Sequence, residues 1–294
     1  MAISVPAVEL VIDARARPVG NVSVARFIPV AQRRHVGPFV FLDHMGPVSF
    51  APGQGFDVAP HPHIGLSTVT YLFAGEVLHR DSLGSAQRIE PGAINLMTAG
   101  RGVVHSERSE PAFRARGGTV HGAQLWLGLP RENEDDAPSF VHQPAESFPD
   151  VPIPRGQLRV LMGEAHGARS PLRHPAEPLF LDVQLEAGAS LELPLAPERA
   201  LCVIEGDLAV ETHRAQANQL LVFNPSVPVV VTANQHSRLL VIGGAPLDGP
   251  RFIDWNFVSS SKEKIEQAKR DWRERKFPRV PGDELEFIPL HENH

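Results

Sequence analysis

The chain has 294 residues, 42% hydrophobic and 21% charged, with a formal net charge of −6. That length supports two ordinary cores, and the acidic balance excludes general affinity for nucleic-acid backbones. No apolar run approaches the roughly 20 residues of a membrane-spanning helix, and a single cysteine, Cys202, excludes an internal disulfide framework and fits a reducing cytoplasm.

The first half reads as short strands. Asp13, Arg15 and Arg17 follow a short apolar stretch that lacks the features of a signal peptide. Leu66 to Phe73 is rich in β-branched and aromatic residues and predicts a strand. Ala74-Gly75-Glu76 turns the chain and Val77 to Arg80 returns it. Asp81 to Ser85 is a further turn, Pro91-Gly92 another, and Ile94 to Thr98 alternates as a strand. Ala99-Gly100-Arg101-Gly102 bends into Val103 to Glu107. Short strands ended by Gly or Pro imply an all-β sandwich or barrel.

The second half echoes the first. Ala200 to Val210 mirrors Val69 to Leu78, and Gln219 to Pro225 mirrors Gly92 to Met97. Two jelly-roll-like β-barrels are therefore expected, divided in the proline-rich stretch between Ala137 and Pro154 into domains 1–145 and 146–294. Near the end, Ser261 can cap a helix spanning about 261–277, with Ile265, Ala268, Trp272 and Phe277 on one face and Pro278 as its stop. Its mixed charges suggest a solvated outer face, and packing on a barrel is its expected role.

The chemistry lies in two short pairs, His61-Pro62-His63 and His105-Ser106-Glu107. Ligands separated by one residue on a strand face the same way. Two such pairs on neighbouring strands can converge on one ion. A set of three histidines and one glutamate suits a divalent first-row metal, namely iron, copper, manganese, nickel or zinc. Calcium or magnesium would prefer oxygen ligands. In the second half Leu191 to Leu195 and Val229 to Ala233 occupy the corresponding places and carry no such ligands. The other candidates are expected to be structural. His79 should bond a loop, His44 and His121 make structural hydrogen bonds, with a pocket role as the alternative, Arg101 tie loops, Met97 and Trp126 pack, and Cys202 lie buried as a small apolar side chain.

The block from His61 through Thr68-Val69-Thr70-Tyr71, His79-Arg80-Asp81-Ser82-Leu83-Gly84 and Met97 to Glu107 resembles the pirins, a branch of the cupin superfamily. Val36 to Pro47, His121 to Trp126 and Gly243 to Leu247 extend the resemblance over most of the chain. It implies a bicupin with one metal, usually Fe(II), held by His61, His63, His105 and Glu107 of the N-terminal domain. It also implies a dioxygenase reaction on flavonols such as quercetin, in which Glu107 takes the proton of the 3-hydroxyl and Leu66, Leu96 and Val104 wall the substrate. The resemblance carries a second expectation: a non-catalytic, redox-sensing regulator that acts through a protein partner. A third is an inert barrel with structural zinc. Many pirins carry Arg-Gly-Phe-Glu after His-Pro-His; here Ile64-Gly65-Leu66-Ser67 stands in that place. A cytoplasmic monomer is expected, with a small aromatic substrate and O2 as partners and neither membrane nor direct nucleic-acid binding.

Overall fold

Runs of β-branched and aromatic residues form strands, and the Gly and Pro positions end them, in the computed structural model, which describes residues 5–290. Leu66–Ala74, Val77–Asp81, Ile94–Thr98 and Val103–Arg108 are all strands. The turn at Gly75 needs its glycine. The residue has φ +85°, and a Cβ there would stand 2.3 Å from the Thr119 carbonyl oxygen.

Contacts divide the chain into two units. One holds residues 16–24, 43–145 and the chain from Leu247 onward; the other holds the chain up to Arg15, residues 25–42 and 146–246. Neither is a continuous half, which differs from the linear division 1–145 and 146–294. The physical reason lies in strand pairing. Val8–Asp13 pairs antiparallel with Gln219–Phe223 and completes the sheet of the second half. At the other end, the segment after Leu247 packs on the first.

The unit bearing the histidine pairs contains a four-stranded sheet ordered Asp57–His63, Val103–Arg108, Val77–Asp81, Ala86–Ile89. Its partner is a seven-stranded sheet in which Leu66–Ala74 lies between Ile94–Thr98 and Gly118–Gly128. The other unit repeats this plan. Its four-stranded sheet runs Ser190–Glu192, Val230–Ala233, Asp207–Val210, His213–Gln216. Where His61 pairs with His105 in the first, Leu191 pairs with Val231 in the second. Leu191 and Val231 belong to an apolar cluster with Leu158, Val183, Leu201, Leu208 and Leu239. The second barrel is thus filled where the first is polar. Cys202 lies fully buried on Glu198–Glu205, and burial drives its thiol pKa well up, so it is inert.

The helix spans Lys262–Arg273 and belongs to the histidine-bearing unit. Ser261 Oγ accepts from the Lys264 N–H at 3.3 Å as its N-cap, and Glu263 lies in the first turn. It ends before Lys276, because Arg275 turns to φ +57°. Ile265, Ala268 and Trp272 pack against Ile64, Val104, Phe257 and Val280. The Trp272 indole N–H bonds the Ile288 carbonyl at 3.0 Å, and the Ile288 N–H bonds the Pro60 carbonyl at 2.8 Å. No helix among the described residues is long and apolar enough to cross a membrane.

Replacing Trp272 by Ala should lower stability by about 3–5 kcal/mol, the usual cost of deleting a buried Trp. Because the helix and its flanking segment cover the ligand strands, metal affinity measured by competition titration should fall in the same variant.

Candidate metal centre

Asp57–His63 is the edge strand of its sheet, which is where a strand tolerates Pro60 and Pro62 with no N–H to donate. It pairs antiparallel with Val103–Arg108, placing His105 opposite His61 and Val103 opposite His63. The register slips between His105 and Glu107, whose partner is Val58, so the edge strand carries an extra residue near Ala59 and Pro60. On its other side Val103–Arg108 pairs in regular register with Val77–Asp81. His105 faces Asp81 there, and Glu107 faces His79. Val104 alternates to the opposite face and lies in the apolar cluster under the helix. It is therefore a support for the ligand strand and not a wall of the ligand side.

His61, His63 and His105 bring ring nitrogens within 4.8 Å of one another, and all three are buried. Their ring centroids are 4.4–5.0 Å apart. His61 Nδ1 donates to the Ala59 carbonyl at 2.9 Å and His63 Nδ1 to the Asn256 carbonyl at 3.0 Å. A carbonyl can only accept, so both rings carry their proton on Nδ1 and keep a lone pair on Nε2. The Nε2 atoms of His63 and His105 stand 3.1 Å apart. Two nitrogens about 2.1 Å from one ion are about 3.0 Å apart at a right angle and about 3.4 Å apart at a tetrahedral one. The separation lies in the range for two nitrogens held by one ion. Convergent nitrogen lone pairs in a buried setting are what a divalent transition metal requires, so these residues fit one.

Burial keeps the imidazoles neutral. It pushes the His61 pKa down to about 4, against the raising effect of the Ala59 carbonyl. Burial and then neighbouring imidazoles push His63 and His105 well below the ordinary value. Glu107, two residues along the strand from His105, is not part of the imidazoles' nitrogen cluster. Thr70 Oγ1 lies 3.2 Å from its Oε1 and 2.9 Å from Gln124 Oε1, and its single proton is shared between these two acceptors. Burial raises the Glu107 pKa above that of an ordinary carboxylate, and His79 and the Thr70 hydroxyl offset only part of this.

The other singled-out residues separate clearly. His44 and His121 bond each other, Nε2 to Nε2, at 2.8 Å. Trp126 sets its ring edge-on to His63 with centroids 5.1 Å apart, so it shapes the ligand environment as well as packing. Met97 packs with Ala99 and Val103. Arg101 lines a cavity of about 180 Å³ with Ile64, Gly65, Lys264 and Phe277. Ser67 Oγ bonds Thr98 Oγ1 at 2.9 Å, so it supports the sheet. Two supports escaped the sequence reading. The Asn256 carbonyl comes from a remote segment and leaves no sequence signal. His79, expected to bond a loop, contacts both Asp81 and His105, and the spacing His79-x-Asp81 was the available clue.

Comparison with known proteins shows the family and the fold. Residues 21–127 match the family described as Pirin, and residues 180–278 match the family described as Pirin C-terminal cupin domain. A pirin-like protein of Caulobacter vibrioides is 47% identical over 97% of this chain and 100% of its own length. A crystal structure of a quercetin 2,3-dioxygenase from Acinetobacter baumannii superposes with TM-score 0.90 at 32% identity, covering 96% of this chain and 94% of that one. A second structure of that description from the same organism gives TM-score 0.87 at 28% identity, covering 93% and 99%. The chain belongs to the pirin family, and its fold is the family's bicupin.

The depressed imidazole pKa values have a signed consequence. Below pH 6.5 an unfolded His61 takes up a proton, whereas the folded one resists until about pH 4. Stability of the metal-free protein should therefore be full above pH 6.5 and fall as the pH drops towards 4. His61 alone accounts for about 3 kcal/mol of that fall. Urea titrations across this window should show the loss, and a bound divalent ion should be released over the same range.

Proposed function

We propose that this pirin is a metal-dependent dioxygenase that opens flavonols such as quercetin with O2. The observation that carries the reading is the cluster of three buried, neutral imidazoles with a basic carboxylate two residues along the same strand. His61, His63 and His105 would hold a divalent transition metal, with Glu107 as the fourth ligand. Iron is the first choice, and copper, manganese, nickel and zinc are the alternatives. When bound, the metal supplies Lewis acidity towards the flavonol oxygens and a centre at which O2 can react.

Glu107 takes the proton of the flavonol 3-hydroxyl. Its desolvated setting makes it a stronger base than an exposed carboxylate, and Thr70 holds one oxygen in place. The resulting electron-rich ring is attacked by O2 at C2, and the heterocycle opens with loss of carbon monoxide. Buried surroundings keep water from competing. A cytoplasmic monomer acting on a small aromatic substrate fits this reading.

Quercetin turnover by the purified protein, with bound metal quantified, tests the proposal. Many cycles per metal are expected, with both metal and turnover lost in His63→Ala. Glu107→Gln should keep most of the metal and lose at least 100-fold in turnover; a metal-loaded Gln variant that turns over normally excludes Glu107 as the base. Bound metal with no turnover in the parent protein would instead favour a redox-sensing regulator that works through a protein partner.

A further inference from the structure

We propose that Asp81 and His79 form a positioning pair that sets the tautomer and orientation of His105. The proposal rests on the metal-binding reading of the site and not on the identity of the substrate.

The pair begins in a turn. Asp81 ends the strand Val77–Asp81 and is fully buried. Its Oδ1 accepts from the N–H groups of Leu83 at 2.9 Å and Ser85 at 3.0 Å. The turn is closed again by the Asp81 N–H on the Ser85 carbonyl and the Gly84 N–H on the Asp81 carbonyl. Gly84 takes φ +91°, a conformation that other residues rarely adopt. One carboxylate oxygen is thus fixed by backbone. The other, Oδ2, faces His79 Nε2 at 3.0 Å.

The tautomers follow in sequence. A carboxylate only accepts, so His79 carries its proton on Nε2. Its ring is stacked on Phe140, with centroids 4.4 Å apart and planes 16° from parallel, and it is buried. His79 Nδ1 then offers a lone pair to His105 Nδ1, 3.4 Å away, a long hydrogen bond. His105 must carry its proton there and leave Nε2 bare, facing His63 Nε2. The three ligands thus reach one tautomer through three different acceptors: the Ala59 carbonyl, the Asn256 carbonyl and the His79 ring. Only the His105 acceptor is itself able to switch, and Asp81 is what prevents the switch.

Asp81→Asn is a near-isosteric test. The Asn oxygen can keep the two backbone N–H groups and would place its NH2 on His79 Nε2. That reverses the chain and puts the His105 proton on Nε2. Cobalt(II) affinity, measured by competition titration, should fall 10- to 100-fold. Thermal unfolding of the metal-free protein should move little. The 15N signals of His105 in the metal-free protein should change from the Nδ1–H to the Nε2–H pattern. His79→Leu, which offers His105 no acceptor, should also weaken cobalt binding, and adding Asp81→Asn to it should cost little more, because both act along one path. Unchanged affinity and an unchanged His105 tautomer in Asp81→Asn would overturn the proposal, as would additive losses in the double variant. If Asp81→Asn does not fold, His79→Leu decides alone: a His105 tautomer and cobalt affinity like the parent's would sink the idea. A parent protein that binds no cobalt would refute the metal reading, while the tautomer pattern in metal-free protein would still decide the role of the pair.

Discussion

Three buried imidazoles with ring nitrogens within 4.8 Å of one another form a donor set whose lone pairs fit a cation. Burial removes the water that would otherwise satisfy those lone pairs, and it disfavours protonation, which would satisfy them differently. The surrounding fold follows from this constraint. An edge strand tolerates two prolines and supplies His61 and His63. The antiparallel neighbour supplies His105 and Glu107, and the extra residue near Ala59 lets the register slip between His105 and Glu107. Each far nitrogen is tied down by an acceptor, so ring orientation is set before any metal arrives.

The second barrel shows the same strand plan without that constraint. With Leu191 and Val231 in the places of His61 and His105, the hollow closes as an ordinary apolar core. Such a core is stabilised by burial of apolar surface alone. The first barrel gives up part of that stabilisation to keep polar groups inside, and it is reinforced from outside. The C-terminal helix lays Ile265, Ala268 and Trp272 over Ile64 and Val104, the apolar residues that alternate with the ligands. The same segment delivers the Asn256 carbonyl to His63. Outer packing and ligand orientation are thus achieved by one stretch of chain.

This arrangement also suits Glu107 to act as a base in addition to the ligand role proposed for it. Its carboxylate accepts from the Thr70 hydroxyl, and burial makes it more basic. Ser67, which stands where many pirins carry a glutamate, is engaged with Thr98 and leaves Glu107 as the carboxylate beside the cluster.

Local pattern determined much of this protein. Period-two alternation, β-branched runs and Gly or Pro stops place the strands, because backbone geometry is decided within a few residues. The spacing of His61 and His63, and of His105 and Glu107, is legible for the same reason, since one intervening residue on a strand returns a side chain to the same face, and the three histidines do cluster. The Ser261 cap placed the start of the helix to the residue. Tertiary structure alone decided which unit owns each terminus, because Val8–Asp13 and the helix find their partners across most of the chain's length. It also decided that Val104 supports the ligand strand from behind, that Asn256 holds His63, and that His79 links Asp81 to His105. Those contacts depend on strand register and on how remote segments pack, and no window of neighbouring residues contains that information.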